Sequence, residues 1–353
     1  MKRPAIVLCT ALAVFTSPVL AQEDMPMGLP QPAKELEKFS RLIGYWQGEG
    51  TSTQGPNKPM GKWTSTSHIR KVLGGHFLRE DVRIDGEGWP APLQFIQFFG
   101  YDKKKQRYTS VAVSNMGTAE RSEIIFQDDN TMVSAGVKFF QGKLVTERWV
   151  TKFGDDGKIS FVGHEAIGDG DFFVHVKGTS TRIDGKPKAK IVDASATMSE
   201  PTTEMGKLKG LIGTLRFKGE MLMMPGTPMM PISGESITES LFGGTVLQTV
   251  INGDPTEGVS YHGWHALVWN PRDKNYVSVG VNNMGENAFE TGVWASNTEL
   301  LFTAASPWYG GIPAVYSGVM KCAADGTLKS YTSHAIIGTH KPAKVFHIDY
   351  SKK

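Results

Sequence analysis

Cysteine is almost missing from this chain of 353 residues: Cys9 and Cys322 are the two it has. Cys9 falls in an N-terminal stretch that reads as cleaved, so Cys322 is left without a partner and an intramolecular disulfide is excluded. Charge of one sign is also missing. Lys and Arg number 38 against 35 Asp and Glu. Such a near-neutral surface has no electrostatic footprint for nucleic acid or an anionic membrane. No hydrophobic run reaches the roughly 20 residues of a membrane-spanning helix. There is no Gly-x-Ser-x-Gly elbow, no phosphate loop, no Cys-x-x-Cys and no HExxH; His164-Glu165-Ala166-Ile167-Gly168 breaks that last pattern at its final position. These absences remove the common signatures of serine hydrolases, P-loop enzymes, zinc proteases and thiol redox proteins.

What is present begins with Met1-Lys2-Arg3, the apolar run Ala5–Phe15 and Ser17-Pro18-Val19-Leu20-Ala21. A basic start, a short apolar run and a small residue at the cut describe a secretory signal peptide over 1–21, cleaved near Ala21. The expected location is periplasmic or secreted. Residues 22–33, rich in proline and polar residues, read as a flexible leader.

The remainder is written twice. Tyr108–Gly117, YTSVAVSNMG, returns as YVSVGVNNMG at Tyr276–Gly285, with seven of ten residues identical. Upstream, Leu36, Phe39, Leu42 and Ile43 fall at helical spacing before Gly44, and Met205, Leu208, Leu211 and Ile212 repeat that spacing before Gly213. Each unit therefore opens with a short amphipathic α-helix. After it the period changes to two, and glycines divide the chain into short runs, ending in the Asp156-Gly157 and Asp325-Gly326 hairpin signals. The pattern predicts two all-β units over 34–183 and 204–353, joined by a linker at 184–203 rich in Lys, Ser, Thr and Pro. Eight to ten strands per unit close most economically as an antiparallel barrel, because closure removes exposed edges. A sandwich is the competing geometry.

Leu42-Ile43-Gly44-Tyr45-Trp46-Gln47-Gly48, Leu73-Gly74-Gly75-His76-Phe77-Leu78 and Phe99-Gly100-Tyr101-Asp102 resemble the bacterial "domain of unknown function 1579" family. That resemblance implies tandem lipocalin-like (calycin) barrels and carries no established activity. The Gly-x-Trp-x-Gly-x-Gly stretch at Gly44–Gly50 and the end of the chain have a more distant likeness to nitrobindin-type haem barrels. In those the axial histidine lies two residues upstream of the position His347 holds, where this chain has Val345.

Four histidines are candidates for acid/base chemistry: His164 and His334 at one repeated place, His175 and His347 at another, with Glu165 nearby in the first copy. His340 and the pair His262/His265 have no counterparts, so spacing specifies no three-ligand zinc site. Trp46, His76, Asn115 and Asn283 are candidate ligand contacts, the two asparagines ending apolar stripes at a barrel mouth or closing a turn. Met221, Met223, Met224, Met229 and Met230 form a thioether-rich loop, fit to cover a greasy cavity or to hold copper(I). Glu147-Arg148-Trp149 reads as a solvated strand face. The reading is a barrel that binds a small, largely apolar molecule with no cofactor expected. The alternatives are a histidine-dependent enzyme (isomerase, cyclase or hydrolase) and a haem or metal carrier.

Overall fold

Twenty antiparallel strands close into two ten-stranded barrels, as the computed structural model shows over residues 30–53, 55–140, 143–188, 190–222, 226–255, 260–306 and 312–352. The expected signal peptide and most of the leader, and the loop residues Met223 and Met224, lie outside these described residues. The first barrel comprises β1 Gly44–Ser52, β2 Gly61–Val72, β3 Phe77–Gly86, β4 Leu93–Asp102, β5 Arg107–Ser114, β6 Ala119–Phe126, β7 Thr131–Phe140, β8 Lys143–Phe153, β9 Lys158–Ile167 and β10 Phe173–Ile183. The second comprises β11 Gly213–Leu222, β12 Met229–Leu241, β13 Val246–Gly253, β14 His262–Asn270, β15 Asn275–Asn282, β16 Asn287–Trp294, β17 Glu299–Ala305, β18 Ala314–Cys322, β19 Leu328–Ile337 and β20 Ala343–Lys352. Each strand pairs with its sequence neighbours, and β1 with β10, or β11 with β20, closes the ring. Ten strands exceed the eight of lipocalins, and a wider barrel leaves more lumen.

The helical period before Gly44 is a 3-10 helix, Lys34–Leu42, rather than an α-helix. Its repeat is one α-turn, Thr203–Gly206, continued as the 3-10 segment Lys207–Leu211. Both stop one end of a barrel. Phe39, fully buried, packs on Phe99, Tyr108 and Phe126 with ring centroids 5.5, 5.2 and 5.6 Å apart. Leu208 does the same work in the second barrel among Leu211, Leu247, Leu267 and Tyr276. The repeated tyrosine fixes each stopper: Tyr108 Oη donates to the Glu35 carbonyl at 3.1 Å and Tyr276 Oη to that of Glu204 at 2.8 Å. The repeat extends to backbone strain. Leu73 and Phe242, at the matched double-glycine turns, adopt left-handed φ of 51° and 53°, a conformation non-glycine residues seldom take.

The most similar stretch of the repeat is the one buried on both faces. Tyr108, Ser110 and Ala112 point into their own barrel, whereas Val111 and Val113 point out of it, and β15 behaves alike. The outward faces of β4–β5 and β14–β15 meet, so Ile96, Phe98, Val111 and Val113 share one apolar cluster with Trp264, Ala266, Val279 and Val281. Phe98 and Trp264 lie 4.6 Å apart, centroid to centroid. The contact is close to twofold: His76 packs against Gly285, and its repeat partner Thr245 against Gly117. Its rim carries Lys104 Nζ–Glu286 Oε1 at 2.9 Å and a 2.9 Å hydrogen bond from Asn287 Nδ2 to Thr109 Oγ1. Residues 190–203 strap this seam. The Asp193 amide donates to Gln94 Oε1 at 2.6 Å, the Met198 amide to the Asn115 carbonyl at 3.0 Å, and Gly243 N to the Ala194 carbonyl at 2.8 Å.

Candidate functional site

The lumens of the two barrels differ more than their walls. In the first, apolar side chains fill the stoppered half, and a charged cluster occupies the half beyond it. Four neighbouring strands build it, because side chains on alternate positions of adjacent strands converge on the axis. Lys138 on β7 sets its ammonium 2.8 Å from Glu147 Oε2 on β8, 3.0 Å from Glu165 Oε1 on β9 and 4.0 Å from Glu120 Oε1 on β6. Burial works against the charge on Lys138, but the three carboxylates outweigh it and hold the ammonium above the ordinary lysine range. Burial raises Glu120 to about 7 against the pull of Lys138. Glu80, on the lumen face of β3, is likewise raised to about 7 by burial.

His175 joins this cluster through a backbone irregularity. The β9–β10 register slips between Val174 and Val176, and the extra residue is His175. A bulge shifts the in/out alternation by one residue, so the ring turns inward. Its Nδ1 lies 3.6 Å from Glu165 Oε1, its plane is edge-on to Trp149 at 5.2 Å, and it lies over Gly163, where a Cβ would come within 2.6 Å of Nε2. Burial, with Lys138 close by, pushes the imidazole down to about 3, so it is neutral at any working pH. Among the described residues Nε2 has no hydrogen-bond partner, and it is buried.

The matching bulge in the second barrel falls between Ser333/Phe346 and His334/Lys344, so its extra residue is Val345. His347 is therefore not the counterpart of His175. It faces outward, bonded to Thr332 Oγ1 at 2.8 Å and 3.3 Å from Asp349, in a shallow depression of about 360 Å³ with Lys218, Glu220 and Met229. Sequence comparison missed this because it matched the two strands by their apolar alternation, which a one-residue bulge resets.

The register places Ala288, Ser306, Tyr316, Ala335 and Val345 where the first barrel has Glu120, Lys138, Glu147, Glu165 and His175. The second lumen is lined by Phe217, Met221, Ile348 and Phe346 with Tyr331 and Tyr350. One carboxyl, Glu290 on β16, projects among them. No hydrogen bond or ion pair to it is found among the described residues, and burial alone raises it to about 7. Tyr261, Tyr331 and Tyr350 stand around this space, and burial raises all three phenols. His265 lies over Gly280, where a Cβ would be 2.3 Å from its Nδ1, and burial alone lowers it to about 4. Glu290, Tyr331 and Tyr350 are half-buried and keep accessible surface of their own.

The remaining candidates serve elsewhere. Asn115 and Asn283 close turns: each Oδ1 accepts a backbone amide at 2.9 Å, from Gln94 and His262, and each Nδ2 donates to a carbonyl, of Pro92 and Ser260. The valine stripes they end face the other barrel, not a lumen. Trp46 is inside, but at the stoppered end, donating to the Leu42 carbonyl at 2.7 Å. His76 is buried at the seam. His164 and His334 are true counterparts on outward faces, with His334 exposed. Met221 and Met230 pack in one apolar cluster, and Met229 lines the surface depression. Among the described residues no three His, Cys, Asp or Glu side chains are placed to hold a metal ion. At the position that the nitrobindin likeness gives to the axial histidine the second barrel has Val345, and His347 stands on the outer wall. Sequence reading passed over Glu120, Lys138 and Glu290, and it took Glu147 for part of a solvated strand face, whereas closure of the sheet buries that carboxylate beside Lys138. The available signal was a charge at even spacing within an apolar stripe, as Glu147 has with Val145, Trp149 and Phe153.

Residues 31–182, the first barrel with its helix, match the family described as "Protein of unknown function (DUF1579)". No functionally curated protein matches the chain. Among solved structures, a candidate outer membrane protein from Bacteroides fragilis aligns with 90% of this chain and 99% of its own, at 7% identity and a TM-score of 0.19. A protein of unknown function from the DUF3598 family of Nostoc punctiforme aligns with 91% and 100%, at 11% identity and a TM-score of 0.19.

Proposed function

In a chain whose first barrel is a DUF1579 domain and whose second barrel repeats its fold, we propose that the second lumen binds a small, largely apolar molecule bearing one hydroxyl or carbonyl group. The observation that carries this reading is Glu290. An unpaired carboxyl costs free energy to enclose, even when it takes up a proton to become neutral. A protonated carboxyl is both a donor and an acceptor, so a ligand with one polar group satisfies it while its hydrocarbon part lies on Phe217, Met221, Ile348 and the tyrosine rings. Binding rather than turnover is the simpler use of these groups, because among the described residues no charged group acts on Glu290 and burial lowers His265 to about 4.

The reading includes a periplasmic or secreted setting, supported by the first 21 residues. The mass of chain recovered from a periplasmic fraction tests that part; a start at residue 22 is expected.

The test of the site is displacement of Nile red by saturated C10–C16 alcohols. Micromolar binding is expected for the unaltered protein, with loss in Ala288→Trp, which fills the lumen beside Glu290. Glu290→Leu is expected to weaken the alcohols about tenfold or more relative to alkanes of the same length. Nile red binding that ignores Ala288→Trp overturns the assignment.

A further inference from the structure

The charged half of the first lumen is a separate problem. The second barrel closes with the same ten strands and the same register, with Ala288, Ser306, Tyr316, Ala335 and Val345 at the equivalent places. The fold therefore does not need Glu120, Lys138, Glu147, Glu165 or His175, and enclosed charges are destabilising unless fully compensated.

The compensation is incomplete, and what is missing has a definite sign. Three carboxyl groups face one ammonium, and His175 contributes no charge. With Glu147 and Glu165 both on Lys138, Glu120 is left 4.0 Å from it with a quarter of its side chain still accessible. His175 lacks the same thing. With its proton on Nδ1, toward Glu165, Nε2 is an acceptor that no donor among the described residues meets. Beside these groups stand aromatic surfaces: Trp149 and Phe161 at 6.2 Å, and Phe161 stacked on Trp63 at 5.7 Å. Trp63 is only 4% exposed, and its indole N–H has no partner among the described residues. Excess carboxylate, an unfilled acceptor and ring faces are what a desolvated ammonium group requires.

We propose that the lumen of the first barrel is a second binding site, built for a small organic cation whose ammonium group sits between Glu120, Glu165 and His175 and whose apolar part lies on Trp149 and Phe161. The site is independent of the one in the second barrel. Binding favours ionised Glu120, so affinity increases as pH rises from 6 to 8 and protons are released on binding. The groups facing Glu120 are Lys138, Glu147, Glu165 and the Thr118 hydroxyl, and Lys138 keeps its charge throughout.

The experiment is calorimetric titration of the full chain with benzylamine, and with benzyl alcohol as the uncharged control, in two buffers of different ionisation enthalpy. Expected are binding of benzylamine at least about tenfold tighter than the alcohol, proton release near pH 6.5, loss of both in Glu120→Gln, and no change in Ala288→Trp. Should Glu120→Gln fold poorly, the pH and buffer dependence of the unaltered protein decides instead. Equal affinity for amine and alcohol, no binding of the amine at millimolar concentration, or affinity falling with pH each overturn the proposal.

Discussion

Glu290→Gln should stabilise the protein in a pH-dependent way, and its sign is fixed by the enclosure of that carboxyl. In the unfolded chain Glu290 titrates near its ordinary 4.5; in the folded barrel burial raises it to about 7. Below 4.5 it is protonated in both states and costs nothing. Between 4.5 and 7 the unfolded chain loses the proton while the barrel keeps it, so stability falls as pH rises, and above 7 the loss levels off. The gap corresponds to roughly 3 kcal/mol. Glu290 retains some accessible surface, and solvent screening reduces the effect to about 1–3 kcal/mol. Glutamine keeps the shape and removes the titration. The variant should therefore match the unaltered protein near pH 4.5 and exceed it at pH 8, by roughly 3–9 °C in melting temperature. Thermal melts of both proteins at half-unit intervals from pH 4.5 to 8.5 measure this, and other titrations cancel in the difference if they are independent. A constant difference, or one that grows toward acid, would refute the reasoning by showing Glu290 ionised and paired in the native barrel.

Tyr276→Phe removes the hydroxyl that bonds the Glu204 carbonyl and accepts from Trp294 Nε1 at 3.0 Å. It should cost about 1–3 kcal/mol in urea denaturation, with Tyr108→Phe costing less because its hydroxyl makes one such bond. Trp264→Ala opens a cavity at the seam and should cost about 3–5 kcal/mol, read as a separate early transition in the melt. In ¹H–¹⁵N spectra the imidazoles of His175 and His265 should not titrate between pH 5 and 8, because burial lowers them to about 3 and about 4. His347→Ala should leave Nile red binding unchanged and shift stability by less than about 0.5 kcal/mol, because its ring lies outside the barrel. A loss of dye binding there would move the ligand site to the surface depression.

Local chemistry written along the chain was sufficient for the repeat and its strand content, and closure into a barrel rather than a sandwich was left to the tertiary structure. The echo of Tyr108–Gly117 in Tyr276–Gly285, the two helical spacings that stop at Gly44 and Gly213, and alternation broken by glycine state two units of short antiparallel strands, because period and turn chemistry are local properties. What they do not state is which face of a strand is inside. Alternation shows that Val111, Val113 and Asn115 share a side; only closure of two rings against each other turned that side onto a neighbouring barrel and left Tyr108 in the lumen. Nor does alternation survive a bulge. One extra residue put His175 inside, and the same device put Val345 inside, leaving His347 on the wall. His175 and Glu165 stood out along the chain, but the site they belong to lay beyond sequence reach for a related reason. Glu120, Lys138, Glu147 and Glu165 come from four strands, each an ordinary charged residue in its own segment. Their meaning comes from converging on one axis, where low polarity and short distances make charges act on each other. That convergence is a property of the closed sheet, and the tertiary structure alone decided it.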